Sequence, residues 1–328
     1  MKNTDTIMNY SGKRILVTGG AGFVGSNLVK TLASQWPDAD VVVLDAFVNG
    51  HFKNLIGFTG ELIAGDLTDP RIMSDLTGRK FDVVFHQGAI TDTTVSDQKK
   101  MIEVNTNTFS SLLRLCAENK APLVYASSAA VYGNSPSPNR VGAGEIPENV
   151  YGYSKYMMDQ MTLRYLNSSP APSHPVVGLR YFNVYGPGEY YKGKMASMIL
   201  QLALKMRRNI TPRLFKFGDQ RRDFVYVDDI VQANLKAGAA GISGIFNAGS
   251  GVSRTFNDIV AILNEALNTD HYIEYFDNPY PFYQNNTCAH IEDTKAKLGY
   301  SPAYTLEQGI QDYVRWLNVH LTDAGPIA

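Results

Sequence analysis

The sequence predicts an α/β protein, a doubly wound parallel sheet followed by a smaller mixed C-terminal domain. Three observations predict it. Short β-branched runs alternate with helical stretches through the first half of the 328 residues, a glycine-rich turn joins the first run to the first helical stretch, and the rhythm loosens after Arg180. Parallel strands need crossover connections, and crossover helices bury the sheet on both faces, so the strands read as apolar throughout. The reading divides the chain into a sheet domain at 1–180, with a return segment near 223–250, and a second domain at 181–328. The second domain should cap the carboxyl edge of the sheet, where open α/β folds bind ligands.

The first run, Arg14-Ile15-Leu16-Val17-Thr18, is a strand. It leads into Gly19-Gly20-Ala21-Gly22-Phe23-Val24-Gly25, and apolar helical spacing follows from Ser26 through Leu32. Glycine permits a tight turn and close backbone approach, while the helix N-terminus offers free N–H groups and about half a positive charge to a pyrophosphate. Strand, GxxGxxG and helix together predict a Rossmann-type NAD(P) site, with Gly19, Gly22 and Gly25 as contacts. The second run ends at Leu44-Asp45-Ala46. An acid in that place bonds the ribose 2′-hydroxyl of NAD, whereas Lys53 in the loop beyond suits the 2′-phosphate of NADP, and spacing alone leaves both open. Asp66-Leu67 after the third strand, Gln87-Gly88-Ala89 after the fourth and Asn105 on the next helix stand where the adenine, the phosphates and the sheet opening fall.

The fifth run, Pro122 to Ser128, ends in a hydroxyl, and Tyr151-Gly152-Tyr153-Ser154-Lys155 then places a phenol and an ammonium four residues apart on one helix face. A tyrosine with a pKa near 10 is a poor base at neutral pH, but a neighbouring cation favours its phenolate. Tyr151 can then move a proton, with Lys155 as the cation and Ser128 directed to the same reacting oxygen. A sixth run covers Val176 to Val184, and helices follow at about Val227 to Ala237 and Thr255 to Leu267, before a fraying end at Asp323 to Ala328.

Composition narrows the partners. Thirty basic residues against 31 acidic ones leave a net charge of -1, so no global field draws nucleic acid or an anionic membrane. No signal-length apolar run opens the chain and nowhere do eighteen apolar residues stand together, so a cytoplasmic protein without a membrane span is expected. Cys116 and Cys288 lie far apart and six histidines lack ligand spacing, so neither a disulfide nor a bound metal is expected.

Taken in order, TGGAGFVG, YASSAAVYG, YGYSK, RYFNVYGP and RRDFVYVDD resemble the extended short-chain dehydrogenase/reductase superfamily. Within it, the run from Asn149 to Lys155, the run from Arg180 to Pro187 continuing to Met198, GHFKNLIGF and NPYPFYQ are similar to the ADP-L-glycero-D-manno-heptose 6-epimerase family. That resemblance implies inversion at C6 of the heptose in ADP-D-glycero-β-D-manno-heptose, a lipopolysaccharide precursor. It implies transient oxidation to a ketone, which turns its other face and is reduced again, with NADP retained and recycled. Two faces of one carbonyl need proton donors on opposite sides, which the resemblance assigns to Tyr151 and Lys192. It also implies cofactor contacts at Phe23, Val24, Asp45, Lys53, Asn105, Lys155 and Val184, substrate contacts at Ser128, Asn183, Phe215, Arg222 and Tyr283, and a homo-oligomer, a pentamer. Arg222 has its own rationale, since a guanidinium suits a diphosphate, against the plainer reading of a surface pair with Asp223.

Three positions depart from the pattern. Gly188 stands where the family has arginine, and Lys194 and Gln201, further substrate candidates, stand where some members have serine and histidine. A dehydratase is disfavoured because Ala129 and Ala130 follow the serine where an Asp-Glu pair is needed. A UDP-hexose 4-epimerase is the alternative enzyme, and a non-catalytic dinucleotide sensor is disfavoured by the joint presence of Tyr151, Lys155 and Ser128.

Overall fold

The computed structural model describes residues 8–170, 172–278, 286–322 and 325–326, so the expected substrate contact Tyr283 lies outside the described residues. The chain runs through β1 (Arg14–Thr18), α1 (Phe23–Gln35), β2 (Asp40–Asp45), β3 (Glu61–Ala64), α2 (Pro70–Thr77), β4 (Val83–His86), α3 (Gln98–Ile102), α4 (Thr108–Asn119), β5 (Leu123–Ser128), α5 (Val150–Leu166) and β6 (Val176–Tyr181). There follow β7 (Asn183–Tyr185), α6 (Met198–Arg207), β8 (Arg213–Phe215), β9 (Arg221–Tyr226), α7 (Val227–Ala239), β10 (Gly244–Ala248), β11 (Ser253–Thr255), α8 (Phe256–Leu267), β12 (Glu274–Phe276), α9 (Glu292–Leu298) and α10 (Leu306–His320).

Among the described residues, seven strands form one parallel sheet in the order β10-β6-β5-β4-β1-β2-β3. The predicted doubly wound sheet is present, and its order reverses between β1 and β4, where Ile15 pairs with Val83. Alternate residues feed opposite faces. Ile15, Val17, Val41 and Val43 join Leu28 and Leu32 of α1 and Ile230 of α7 in one core. Leu16, Val42 and Leu44 join Phe109 of α4 and Met158 of α5 in the other. Each such side chain contributes roughly 1.5–3 kcal/mol on burial, and both faces of the inner strands are covered, while edge strand β3 leaves Leu62 exposed.

Strands β7, β8, β9, β11 and β12 with helices α6, α8 and α10 make a smaller mixed body. Helices α6, α8 and α10 share a core that includes Ile199, Leu263 and Ile310. Strands β11-β9-β7 form a three-stranded sheet, antiparallel at β11/β9 and parallel at β7/β9, and β8 pairs with β12. The helix that apolar spacing starts at Ser26 begins at Phe23, with Gly22 as its cap. Thr255 caps α8 in a reciprocal capping box with Asp258, so the expected start at Thr255 is the cap itself. Among the described residues, no helix is long and apolar enough to cross a membrane.

Candidate active site

The carboxyl ends of β1 and β4 face each other at the reversal point. Gly19 follows β1 with φ +67, and a Cβ there would lie 2.5 Å from the Gly88 nitrogen, so only glycine lets the two loops close. Helix α1 has no side-chain cap and no acidic residue in its first turn. Its free N-terminal N–H groups at Phe23, Val24 and Gly25, with Gly22 leading in, fit an anionic diphosphate.

Asp45 ends β2 and is 7% exposed. One carboxylate oxygen accepts the Ala21 N–H at 2.9 Å and the other the Phe47 N–H at 2.7 Å. Burial raises its pKa and these backbone bonds oppose the rise. The carboxylate therefore fastens the glycine loop from beneath, while Ala46 beside it is exposed. Lys53 sits half-buried in a short 3₁₀ turn, Phe52–Leu55, and forms no ion pair among the described residues. Asp66 accepts from the Thr68 N–H and hydroxyl, and with Leu67 it lines an open cleft of about 730 Å³ that also includes Lys100 and Asn107.

Asn105 is fully buried in a π-helical turn, Glu103–Asn107. Its amide accepts from the Ile90 N–H and donates to the Ile90 carbonyl and to Ser154 Oγ, so its side chain holds the strand-four loop to α5. Gln87 is likewise engaged, donating to Asn234 at 2.9 Å and accepting from the Tyr181 hydroxyl at 2.9 Å. Gly88 and Ala89 continue that loop, and the Gly88 N–H reaches Thr18 Oγ1 at 3.4 Å.

Helix α5 presents the phenol and the ammonium. Asn149 caps it by accepting the Gly152 N–H at 2.8 Å. Gly152 lets it press against the turn after β5, because a Cβ there would lie 2.6 Å from the Ala130 carbonyl oxygen. This close approach brings the Ser128 and Tyr151 hydroxyls into a hydrogen bond. Burial raises the Tyr151 pKa and the bond to Ser128 opposes the rise. Lys155 is 2% exposed, donates to the Ala126 carbonyl at 2.7 Å, and holds Nζ 6.0 Å from the Tyr151 ring centre. Burial pushes its pKa down to about 8, against the pull of Asp159 one turn further on. Asp159 is itself fully buried, accepting from Arg180 Nε at 2.8 Å, from the Tyr125 hydroxyl at 2.8 Å and from the Ser127 hydroxyl at 3.1 Å.

Lys192 lies in the turn Tyr190–Met195 beyond β7. Its Nζ is 5.4 Å from the centre of the Phe23 ring, at the head of α1. Burial lowers its pKa and Glu189 opposes that. Glu189 is wholly buried, accepting from the Gly186 N–H at 3.2 Å, the Ser197 N–H at 2.6 Å and the Ser197 hydroxyl at 2.8 Å, which closes the loop at its base. Gly188, at φ +94, turns its carbonyl toward Asn54.

The other expected substrate residues are dispersed. Asn183 is exposed at the start of β7 and Val184 follows half-buried. Lys194 is 78% exposed with a 3.8 Å contact to Asp92, and Gln201 donates to the Lys194 and Ala196 carbonyls. Phe215 packs edge-on against Phe276 on the β8/β12 pair. Arg222 is 7% exposed in β9, over Phe256, and the neighbouring Asp223 accepts from Ser250, Gly251 and Ala289. The plainer expectation of an exposed Arg222–Asp223 pair is thus replaced by two buried side chains. Sequence reading missed Tyr181, Asn54, Asn27 and His51. Their partners lie in distant segments, and only GHFKNLIGF hinted at two of them.

The chain is similar to known nucleotide-sugar epimerases. The family model described as NAD dependent epimerase/dehydratase family matches residues 15–249. The structure is similar to the crystal structure of Helicobacter pylori ADP-L-glycero-D-manno-heptose-6-epimerase, with 48% identity, TM-score 0.89, and 97% of this chain and 99% of that chain covered. It is also similar to a UDP-N-acetylglucosamine 4-epimerase from Methanobrevibacter ruminantium, at 27% identity and TM-score 0.87 over 95% of this chain and 100% of that one. A UDP-glucose 4-epimerase from Thermotoga maritima matches at 27% identity and TM-score 0.84, covering 93% and 99%.

Proposed function

The chain belongs to the NAD dependent epimerase/dehydratase family and is a nucleotide-sugar epimerase, an isomerase; from that premise we propose that it converts ADP-D-glycero-β-D-manno-heptose to ADP-L-glycero-β-D-manno-heptose for the lipopolysaccharide inner core. One observation carries the choice of reaction. Besides Tyr151, a second ionisable side chain, Lys192, lies half-buried at the head of α1, 5.4 Å from the Phe23 ring centre. A 4-epimerase that works from the tyrosine alone has no use for it.

Bound NADP supplies a hydride acceptor and, in the return step, the donor. Tyr151 takes the proton from the C6 hydroxyl in one orientation, with Ser128 hydrogen-bonded to the same oxygen. Lys155 favours the phenolate as a nearby cation and holds the cofactor ribose. Lys192 serves the opposite orientation, and its lowered pKa brings proton exchange closer to neutrality. The N–H groups at Phe23, Val24 and Gly25 bind the pyrophosphate, Lys53 the 2′-phosphate, and Asp66 and Leu67 border the adenine. Asn183, Phe215 and Arg222 take the sugar nucleotide. The same reading carries a cytoplasmic homo-oligomer, tested by sedimentation equilibrium.

The deciding experiment incubates the protein separately with ADP-D-glycero-β-D-manno-heptose and UDP-galactose and follows stereochemistry by NMR. Inversion at C6 of the heptose alone is expected. Turnover of UDP-galactose alone would make the protein a 4-epimerase.

A further inference from the structure

Lys192 sits in a turn held from within by its own N–H on the Glu189 carbonyl at 2.9 Å and by the Ala196 N–H on the Gly193 carbonyl at 3.1 Å. Gly193, the next residue, has φ +56, a left-handed conformation that favours glycine, and a Cβ there would meet nothing within 4 Å. Glu189 closes the base of this loop, Tyr190 packs on the core of α6, α8 and α10, and Gln201 donates to the Lys194 carbonyl at 3.3 Å, while further contacts reach the segment from elsewhere. They come from the loop that follows β2. The His51 imidazole stacks flat on the Tyr191 ring, 3.7 Å between centres and 3° between planes. Asn54, 5% exposed, donates from one amide nitrogen to the Ala21 carbonyl at 3.1 Å and to the Gly188 carbonyl at 3.2 Å. Asn27 does the same from α1, to the Phe23 carbonyl at 2.9 Å and the Pro187 carbonyl at 2.8 Å.

His51 is fixed in turn. Its backbone N–H donates to the Ala21 carbonyl at 3.0 Å, and its Nδ1 accepts the Lys53 N–H at 3.2 Å. One short segment, His51 to Asn54, thus touches the glycine loop, carries Lys53 and grips the turn that carries Lys192.

We propose that His51, Tyr191, Asn54 and Asn27 are positioning residues, a clamp that sets Lys192 against the glycine loop. The proposal rests on the reading of Lys192 as the second proton carrier, and it adds that the lysine's placement is borrowed from the cofactor-binding side. A stacked ring pair and shared amides hold a geometry without entering the chemistry, and small displacements of a proton carrier cost rate more than they cost binding.

The test uses Tyr191→Leu, which removes the stack at a half-buried site, and Tyr191→Phe, which keeps it. The first readout needs no turnover. Acetylation of Lys192 by acetic anhydride is followed by peptide mass spectrometry across pH, with exposed Lys194 as internal reference. In Tyr191→Leu, Lys192 should label several-fold faster relative to Lys194, and in Tyr191→Phe at the parent rate. The second readout is kinetic: kcat for the heptose substrate should fall about 10-fold in Tyr191→Leu with KM within about 2-fold, and recover in Tyr191→Phe.

Parent labelling and parent kcat in Tyr191→Leu would overturn the clamp, as would a Tyr191→Phe variant as impaired as Tyr191→Leu. Failure of the underlying function looks different. A parent protein inert on ADP-heptose, or a fully active Lys192→Met, would remove the role given to Lys192, and the acetylation arm would still decide whether the stack holds it.

Discussion

Replacing Asp159 by asparagine separates the stability of the fold from the tuning of the site. Asp159 is 0% and Arg180 1% exposed, and their pair joins α5 to β6. Asparagine keeps the shape, and its amide can turn to satisfy Tyr125, Ser127 and Arg180 Nε, so charge is the principal loss. Breaking a buried pair costs ~3–5 kcal/mol. Glu145 remains on Arg180 NH1, which puts the change at the low end, about 3 kcal/mol. With an unfolding entropy near 2.1 cal/mol/K per residue, 328 residues give ~0.7 kcal/mol/K, so Tm falls by about 4 °C. The second effect is electrostatic. Asp159 is the charge that holds the Lys155 pKa up against burial, which has already brought it to about 8. Removing it lowers that pKa further, so Lys155 loses its proton earlier as pH rises. Since the cation favours the Tyr151 phenolate, the alkaline limb of kcat should lie near pH 8 in the parent and at lower pH in Asp159→Asn. Differential scanning calorimetry at pH 7 and a pH–rate profile check both. An unchanged Tm with an unmoved limb would refute the reasoning.

Three further outcomes follow from the geometry. Tyr151→Phe should lose epimerisation by about 10²-fold or more while retaining cofactor, and near-parent turnover would remove the phenol from the chemistry. Gly152→Ala should lower Tm, since a Cβ 2.6 Å from the Ala130 carbonyl oxygen costs roughly 1–3 kcal/mol of overpacking against at most about 1 kcal/mol of helix propensity, and cut kcat about 10-fold as α5 withdraws from that carbonyl; undiminished turnover would count against that contact. The parent protein should release NADP on denaturation and Lys53→Ala should shift the retained cofactor toward NAD, which mass spectrometry reads; release of NAD alone from the parent would reverse the assignment to Lys53.

Local chemistry was legible in the sequence wherever spacing encodes geometry. The glycine turn after β1 and the Tyr151 and Lys155 pair depend on residues a few positions apart, and apolar strands bounded by turns announced a parallel sheet. The start of α1 was read three residues late because Gly22 and Gly25 interrupt the apolar pattern just where the helix begins. Asp45 stood where a ribose contact was expected, but the sequence held no sign that its two oxygens would be engaged by Ala21 and Phe47. Asn105 was expected beside the cofactor, but the sequence held no sign that its amide would bond Ile90 and Ser154. Least legible were bonds such as Asn54 to Gly188, 134 residues apart, because neither partner has a local pattern that names the other.

The return of the chain to the large sheet limits how this protein can be cut. Strand β10 covers β6, and Ile230 and Leu235 of α7 share a core with Leu28 and Leu32 of α1. A fragment ending at residue 180 would keep every glycine of the turn and the whole Tyr151 helix. It would also bare the outer hydrogen-bonding edge of β6 and strip the apolar face of α1, and an open, apolar strand edge invites pairing with a second molecule. Such a fragment should aggregate on expression. Exchanging the later half between relatives to alter substrate choice therefore requires leaving 227–248 with the recipient.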